Sequence, residues 1–361
     1  MPEILHVVGA RPNFMKAAPV MRALAVYEQV QQTLVHTGQH YDATMSDVFF
    51  AQLGLPEPTI NLGVGSGSHA VQTAQIMLRL EEVLQQRRPD WVVVYGDVNS
   101  TVAAALVCAK LLIPVAHVEA GLRSFDRTMP EEINRVLTDQ IADLLFTPSA
   151  DGDANLLREG IAPDKIHRVG NVMIDTLVRL LPRAAECWQN GAWQSWRDRP
   201  YVLVTLHRPA NVDDPTMLAG LMTALAAIGH RVPVLFPLHP RTRRRLEAFG
   251  LSAAGSGIHL LEPLAYLDFL ALQSRATLVI TDSGGIQEET TYLGVPCLTV
   301  RDNTERPITV AMGTNILVGR DPARLQAEAH RILDGDVKKG SIPPLWDGRA
   351  GERVAAILSR L

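Results

Sequence analysis

Short apolar runs, each closed by glycine or a polar residue, alternate along this chain with longer segments of helical period. ILHVV at 4–8 is followed by a helix around 15–27, then TLVH and WVVVYGD, a helix around 100–112, and IPVAHVE. This alternation constrains the fold most, because strands separated by helices pair in parallel through crossovers. A second series starts after a break at Gly170-Asn171: YVLVTLHR, VPVLFPLH, IHLLE, ATLVITDSGG and VPCLTV, each followed by a helix-like segment. The expected fold is therefore α/β, with two Rossmann-like doubly wound domains over residues 1–170 and 171–345. With 361 residues, 47% of them hydrophobic, the chain can fill two cores.

Composition narrows the function. A formal net charge of −4 offers no global basic field, so neither nucleic acid nor an anionic membrane is an expected partner, and any anionic ligand must be met locally. Cys108, Cys187 and Cys297 are odd in number and far apart, which argues against a disulfide framework or a zinc site. The N-terminus enters a strand pattern without a basic region and cleavage site, and the most apolar run, VAAALVCAKLLIPVAHV, is interrupted by Lys110 and Pro114. A soluble, cytoplasmic protein is expected. WQNGAWQSWRDRP reads as an irregular connection before the second lobe and receives no function. GVGSGSH at 63–69 reads as a flexible loop, since no clear strand and helix flank it as a dinucleotide fingerprint would require.

Ligands of doubly wound sheets bind beyond the carboxyl ends of the strands. Arg11 follows the first strand, with Lys16 about one helical turn further on; Gln39 and His40 follow the second, Asp97 the WVVVYGD strand and Glu119 the IPVAHV strand. The second lobe offers His207, His239 and Ser283-Gly284-Gly285 in the same positions. Two such rims facing each other would enclose a cleft. Some of these residues have plainer explanations. Asp97 could cap a helix, either histidine could be a satisfied core residue, and the RTRRR run at 241–245 reads as a solvated helix face whose first arginine could help with phosphate. Thr128 and Glu131 form T-x-x-E ahead of an apolar series, which is the pattern of a capping box. Capping does not explain Glu119, a carboxylate at a strand end that needs a partner.

The stretch VEAGLRSFDRTMPEEINR holds four acids and three arginines in eighteen residues. In the second lobe, Ser283-Gly284-Gly285 opens a helix with backbone that can approach an anion, which suits a diphosphate. Glu289, further along, suits a diol such as a ribose. A nucleoside diphosphate is the natural ligand.

GARPNFMK at 9–16, YGDVNST at 95–101, HVEAGLRS at 117–124, MPEEINR at 129–135, TDSGGIQEE at 281–289 and RDNTERP at 301–307 together closely resemble the non-hydrolysing UDP-N-acetylglucosamine 2-epimerases, over essentially the whole chain. The resemblance implies a GT-B-type pairing of two Rossmann-like domains, an active site in the interdomain cleft, a C-terminal helix within 346–361 that packs back on the first domain, and a homodimer. By motif position it implies that Arg11, Lys16, Asp97, Glu119, Glu131 and His207 line the reacting sugar and diphosphate. It further implies that Leu264 and Phe269 hold uracil, Ser283 to Gly285 phosphate, Glu289 ribose, and that Arg306 reaches the diphosphate. Glu119 and Glu131 then look like acid/base groups, with Arg123 and Arg135 pairing to neighbouring acids.

The implied chemistry explains the carboxylates. The C2 hydrogen of an N-acetylhexosamine has no adjacent carbonyl, and the chain lacks a nicotinamide fingerprint for transient oxidation; no cofactor and no metal are expected. Expulsion of UDP builds positive charge on the sugar, which makes the C2 proton removable and leaves a 2-acetamidoglucal for re-addition. Two acid/base groups on opposite faces are needed, and Asp97, Glu119 and Glu131 all stand as candidates for either step. Other readings are a 2-epimerase of UDP-2,3-diacetamido-2,3-dideoxyglucuronate, whose subgroup HTGQHYD resembles, a GT-B glycosyltransferase, or a non-catalytic nucleotide-sugar sensor. Some relatives bind a second UDP-sugar as activator through a loop resembling GQHR. Here Gly38-Gln39-His40-Tyr41-Asp42 lacks the arginine and adds an acid, and the nearby GVGSGSHAVQ offers only His69, so activation is expected to be weak or absent.

Overall fold

The computed structural model describes residues 1–39, 50, 52–191 and 193–360, without the side chain of Arg11. His40, Tyr41 and Asp42, which carry much of the activation argument, lie outside the described residues. The chain divides into two units, one of Met1–Thr176 with Pro344–Leu361 and one of Leu177–Pro343.

In the first unit, β1 (Glu3–Val8), β2 (Gln31–His36), β3 (Ile60–Asn61), β4 (Trp91–Tyr95), β5 (Val115–Val118), β6 (Leu144–Thr147) and β7 (Ile166–Arg168) form one sheet in the order β3-β2-β1-β4-β5-β6-β7. Every pairing is parallel. Helices α1 (Arg11–Leu24), α2 (His69–Arg87), α3 (Asn99–Leu111), α4 (Pro130–Ile141) and α5 (Ala150–Arg158) lie in the crossovers, and α6 (Val172–Asn190) leads out of the sheet after β7. The central strands are mostly apolar because helices cover both faces: Leu5, Val7, Val92, Val94 and Val115 are all buried.

The second unit repeats the plan with β8 (Val202–Thr205), β9 (Val234–Pro237), β10 (Ile258–Leu261), β11 (Leu278–Thr281), β12 (Cys297–Thr299) and β13 (Asn315–Leu317), in the order β10-β9-β8-β11-β12-β13. Its helices are α7 (Pro209–Val212), α8 (Pro215–Gly229), α9 (Pro240–Ala248), α10 (Tyr266–Gln273), α11 (Gly284–Leu293), α12 (Pro307–Ala311) and α13 (Pro322–Leu333). The chain then returns to the first unit, where α14 (Ala350–Leu358) packs on α1. The Asp175 carboxylate accepts from the N–H groups of Ala350 (3.0 Å) and Gly351 (2.6 Å), satisfying two donors at the start of α14. No helix among the described residues is long and apolar enough to cross a membrane.

Local structure corrects several expectations. The first helix starts at Arg11 rather than 15, because the Asn13 side chain accepts from the N–H groups of Gly9 and Ala10 (both 3.1 Å) and turns the chain straight out of β1. GVGSGSH does lie between a strand and a helix, though the strand, β3, has only two residues; Ser68 caps α2 by accepting from Val71 N–H. Trp188 belongs to α6 and is buried, so the irregular connection starts later than expected.

Candidate active site

In each sheet the strand order reverses beside the first strand, at β1/β4 and at β8/β11. These are the switch points at which doubly wound folds open a crevice. The candidate residues collect there. After β4 the chain turns through Gly96 (φ +62°) into Asp97. Asp97 is not the cap of α3, whose N-cap is Val98 without a side-chain bond. Instead Arg135 holds its carboxylate, through Nε at 2.9 Å and Nη2 at 2.8 Å, and the Asn134 amide donates to its backbone carbonyl at 2.9 Å. Arg135 also pairs with Glu132.

Glu119 follows β5 with φ +74°, a conformation rare outside glycine, so the surrounding structure must impose it. Its backbone N–H and that of Ala120 both donate to the Phe146 carbonyl at 3.0 Å. Its carboxylate lies 2.5 Å from Lys16 Nζ, and both side chains are buried. A side chain at Gly96 would stand 2.5 Å from that ammonium, so the glycine keeps the path of Lys16 open.

The expected capping box does not form. Thr128 Oγ1 donates to Asp126 (2.6 Å), and α4 starts at Met129 without a side-chain cap. Glu131 is left exposed on the first turn, while buried Glu132 turns back to accept from Ser124 N–H (3.0 Å) and Phe125 N–H (2.8 Å). Asp97 and Glu131 line one cavity of about 330 Å³ together with Gln39, Ser66, Gly67, His69, Asn99 and Asn134, among others. Arg123 pairs with Asp139 and Glu159, and Arg135 with Asp97 and Glu132, as the sequence led us to expect.

In the second unit, Ser283 is the N-cap of α11 but makes no side-chain cap bond, and no acid occupies the first turn. A methyl group at Gly284 would stand 2.6 Å from Glu305 Oε1 and run into Arg306 Nη1, so the Arg306 guanidinium rests against the first residue of the helix. Two carboxylates hold it there, Glu288 at 2.8 Å and Glu305 at 2.5 Å. Glu289, one turn on, is buried; burial pushes its carboxyl up to about 7, although a hydrogen bond from the Tyr266 hydroxyl (2.8 Å) favours the ionised form. Tyr266 opens α10, the helix that also carries Phe269; Leu264 lies just before it, and both of these apolar residues are half-buried.

His207 follows β8 and remains partly exposed. Its Nδ1 lies 3.0 Å from Asp282, which fixes that nitrogen as the donor and leaves Nε2 directed away. Asp282 also accepts from His207 N–H (3.0 Å), Arg208 N–H (2.9 Å) and the Asn211 amide (3.1 Å). Burial pushes its carboxyl up, yet these bonds hold it below the ordinary carboxylate range. Asp282 thus ties the turn after β8 to the turn after β11 across the switch point. Sequence reasoning passed over it, although an Asp closing a strand is the signal that singled out Asp97. On α9, Arg241, the first arginine of the RTRRR run, pairs with Asp213, and His239 caps the helix by accepting from Arg241 N–H.

Comparison with known proteins agrees with this arrangement. A family model described as UDP-N-acetylglucosamine 2-epimerase matches residues 22–359. The UDP-N-acetylglucosamine 2-epimerase of Methanocaldococcus jannaschii is 44% identical over 360 residues, covering 98% of each chain. The UDP-2,3-diacetamido-2,3-dideoxy-D-glucuronate 2-epimerase of Pseudomonas aeruginosa is 41% identical, covering 99% of this chain and 100% of that one. The crystal structure of the Methanocaldococcus jannaschii enzyme in complex with UDP-GlcNAc and UDP superposes with a TM-score of 0.92 at 43% identity, covering 99% of this chain and 100% of that chain. With two sheets of Rossmann order, carboxylates ending the strands of one and an open helix N-terminus ending those of the other, the chain belongs to the UDP-N-acetylglucosamine 2-epimerase family.

Proposed function

We propose that this protein interconverts UDP-N-acetylglucosamine and UDP-N-acetylmannosamine by elimination and re-addition of UDP. The observation that carries the reading is Glu119: a buried carboxylate in a strained backbone conformation at a strand end, charge-balanced by Lys16. Such strain persists only where the surroundings enforce it, and it gathers at functional sites. The second unit would hold the nucleotide, with phosphate on the α11 N-terminus and Arg306, the ribose hydroxyls on Glu289, and uracil beside Phe269 and Leu264.

In the first half-reaction the C1–O bond breaks, its electron pair leaves with UDP, and a carboxylate takes the C2 proton to give the 2-acetamidoglucal. In the second, a carboxyl group on the other face delivers a proton to C2 while UDP re-forms the C1–O bond. Asp97, Glu119 and Glu131 are the candidates for these two roles. Lys16, Arg11 and His207 would stabilise the departing diphosphate. The likeness to the Pseudomonas aeruginosa enzyme supports a second reading, in which the sugar is the diacetamido-glucuronate and the chemistry is unchanged.

NMR of purified protein with each UDP-sugar in deuterium oxide tests both readings. Epimerised product should carry deuterium at C2, and the sugar that turns over identifies the substrate. Product that keeps its original C2 hydrogen would overturn the elimination route.

A further inference from the structure

His117 is fully buried on β5, two residues before Glu119. Its Nε2 lies 2.8 Å from the Gly96 carbonyl, and its Nδ1 lies 2.6 Å from Asp139 Oδ1. A carbonyl and a carboxylate stand on opposite sides of the ring, so the histidine bridges the Gly96 turn and Asp139. Burial pushes the Asp139 carboxyl up, but His117 and Arg123 beside it hold it below the ordinary carboxylate range. The second oxygen of Asp139 takes Gly121 N–H (3.1 Å) and Arg123 Nη1 (2.7 Å), and Glu159 closes the cluster on Arg123. Buried Arg123 thus faces two carboxylates, which lowers the penalty of placing its charge in the interior.

We propose that His117 is a positioning residue that fixes the turn carrying Asp97 against the turn carrying Glu119; the inference rests on the proposed role of those two acids. Gly96 is held from both ends. Its N–H donates to the Val118 carbonyl (2.9 Å), and its own carbonyl accepts from the His117 ring. The next residue is Asp97. Asp139 meanwhile grips Gly121, two residues beyond Glu119, so one side chain and its partner set both strand exits. A displacement of about 1 Å between acid/base groups costs on the order of a hundredfold in rate.

Two substitutions separate this role from that of a core histidine. The amide nitrogen of His117→Asn occupies the place of Nδ1 and keeps the bond to Asp139 but not the one to Gly96. The amide nitrogen of His117→Gln reaches the place of Nε2 and keeps the bond to Gly96. The expected result is a kcat about 10²-fold down in His117→Asn, with KM and the Kd for UDP within about threefold of wild type, and a recovery of roughly tenfold in His117→Gln. Equal kcat per folded molecule in His117→Asn and wild type, or no recovery of kcat in folded His117→Gln, would overturn the inference. Wild-type turnover without deuterium at C2 would instead remove the acid/base reading on which it rests.

Discussion

Two helix N-termini at the rims of the two sheets are built oppositely. Helix α4 opens with Pro130, Glu131 and Glu132, so its first turn carries two acids of its own. Helix α11 opens with two glycines, has no acid in its first turn and no side-chain cap, and keeps a guanidinium beside it. Both termini present the positive end of a macrodipole, although Pro130 brings no N–H to the first turn of α4 while Gly284 and Gly285 bring theirs to α11. The sequence decides their use. At α4 that positive end faces carboxylates of its own chain, leaving Glu131 presented to solvent; at α11 the donors stay open, which suits an anion brought from outside.

The largest expected effect breaks the comparison at α4. Glu131→Gln retains a side chain that suits a helix start, and the position is exposed, so Tm should stay near that of wild type. If Glu131 transfers a proton, kcat should fall by roughly 10²-fold or more, the scale of general acid–base catalysis. Normal turnover would leave the residue as a favourable charge on a helix dipole and nothing else. A smaller effect, confined to affinity, is expected at α11. The methyl group of Gly284→Ala enters the space of Glu305 and Arg306 and displaces the guanidinium. The Kd for UDP, read by calorimetry, should rise about tenfold or more, which is about 1.4 kcal/mol, while kcat changes far less. Unchanged UDP binding would show that the α11 terminus is not the anion site.

The contrast between the two rims was partly legible in the sequence. Strand-end rules found Asp97, Glu119, His207 and the Ser283 turn because a strand and its terminal polar residue are contiguous in the chain. They did not find what braces the site, because Asp139 meets His117 and Glu288 meets Arg306 through tertiary contacts. Helical period could have marked Glu132, which sits on the same buried face as Arg135, but its neighbour Glu131 drew the attention by completing T-x-x-E with Thr128. The box failed on register: the N-cap is Met129 and Pro130 is the first helical residue, so Thr128 stands one residue too early and Glu131 falls at the second helical position instead of the third. Spacing alone does not say at which residue the helix opens.

Glu289 sharpens the comparison through pH, since its burial contrasts with the exposure of Glu131. Its folded-state value of about 7 lies above the ordinary 4.5, so the folded protein binds the proton more tightly than the unfolded chain does. The stability this confers is fully present below pH 4.5 and is lost as pH rises through 7, a change of roughly 3 kcal/mol at most. Glu289→Gln removes the titration. Relative to wild type, its Tm should be higher at pH 8, with the advantage closing toward pH 5. Its UDP affinity should fall at pH 8, where the carboxylate would accept from the ribose. A variant that matches wild-type stability at both pH values would show that the buried carboxyl does not titrate in this range.

The smallest effects come from the two hydroxyls that stand at the two helix starts. Neither caps: the hydroxyl of exposed Thr128 donates to Asp126, and Ser283 makes no side-chain bond to its helix. Had Thr128 completed a capping box, Thr128→Ala would cost about 1 kcal/mol. With the bond to Asp126 in solvent instead, urea denaturation should place it within about 0.5 kcal/mol of wild type. Ser283→Ala should be as neutral for stability, because no cap is lost. The two variants should differ in UDP binding alone. A hydroxyl beside an open helix N-terminus can donate to phosphate, so Ser283→Ala should weaken UDP severalfold, the scale of one hydrogen bond, whereas Thr128→Ala should leave it unchanged. A stability loss in Thr128→Ala near 1 kcal/mol would restore the capping box and with it a purely structural reason for Glu131. Equal UDP affinity in both variants would remove Ser283 from the phosphate site while leaving the backbone of α11 in place.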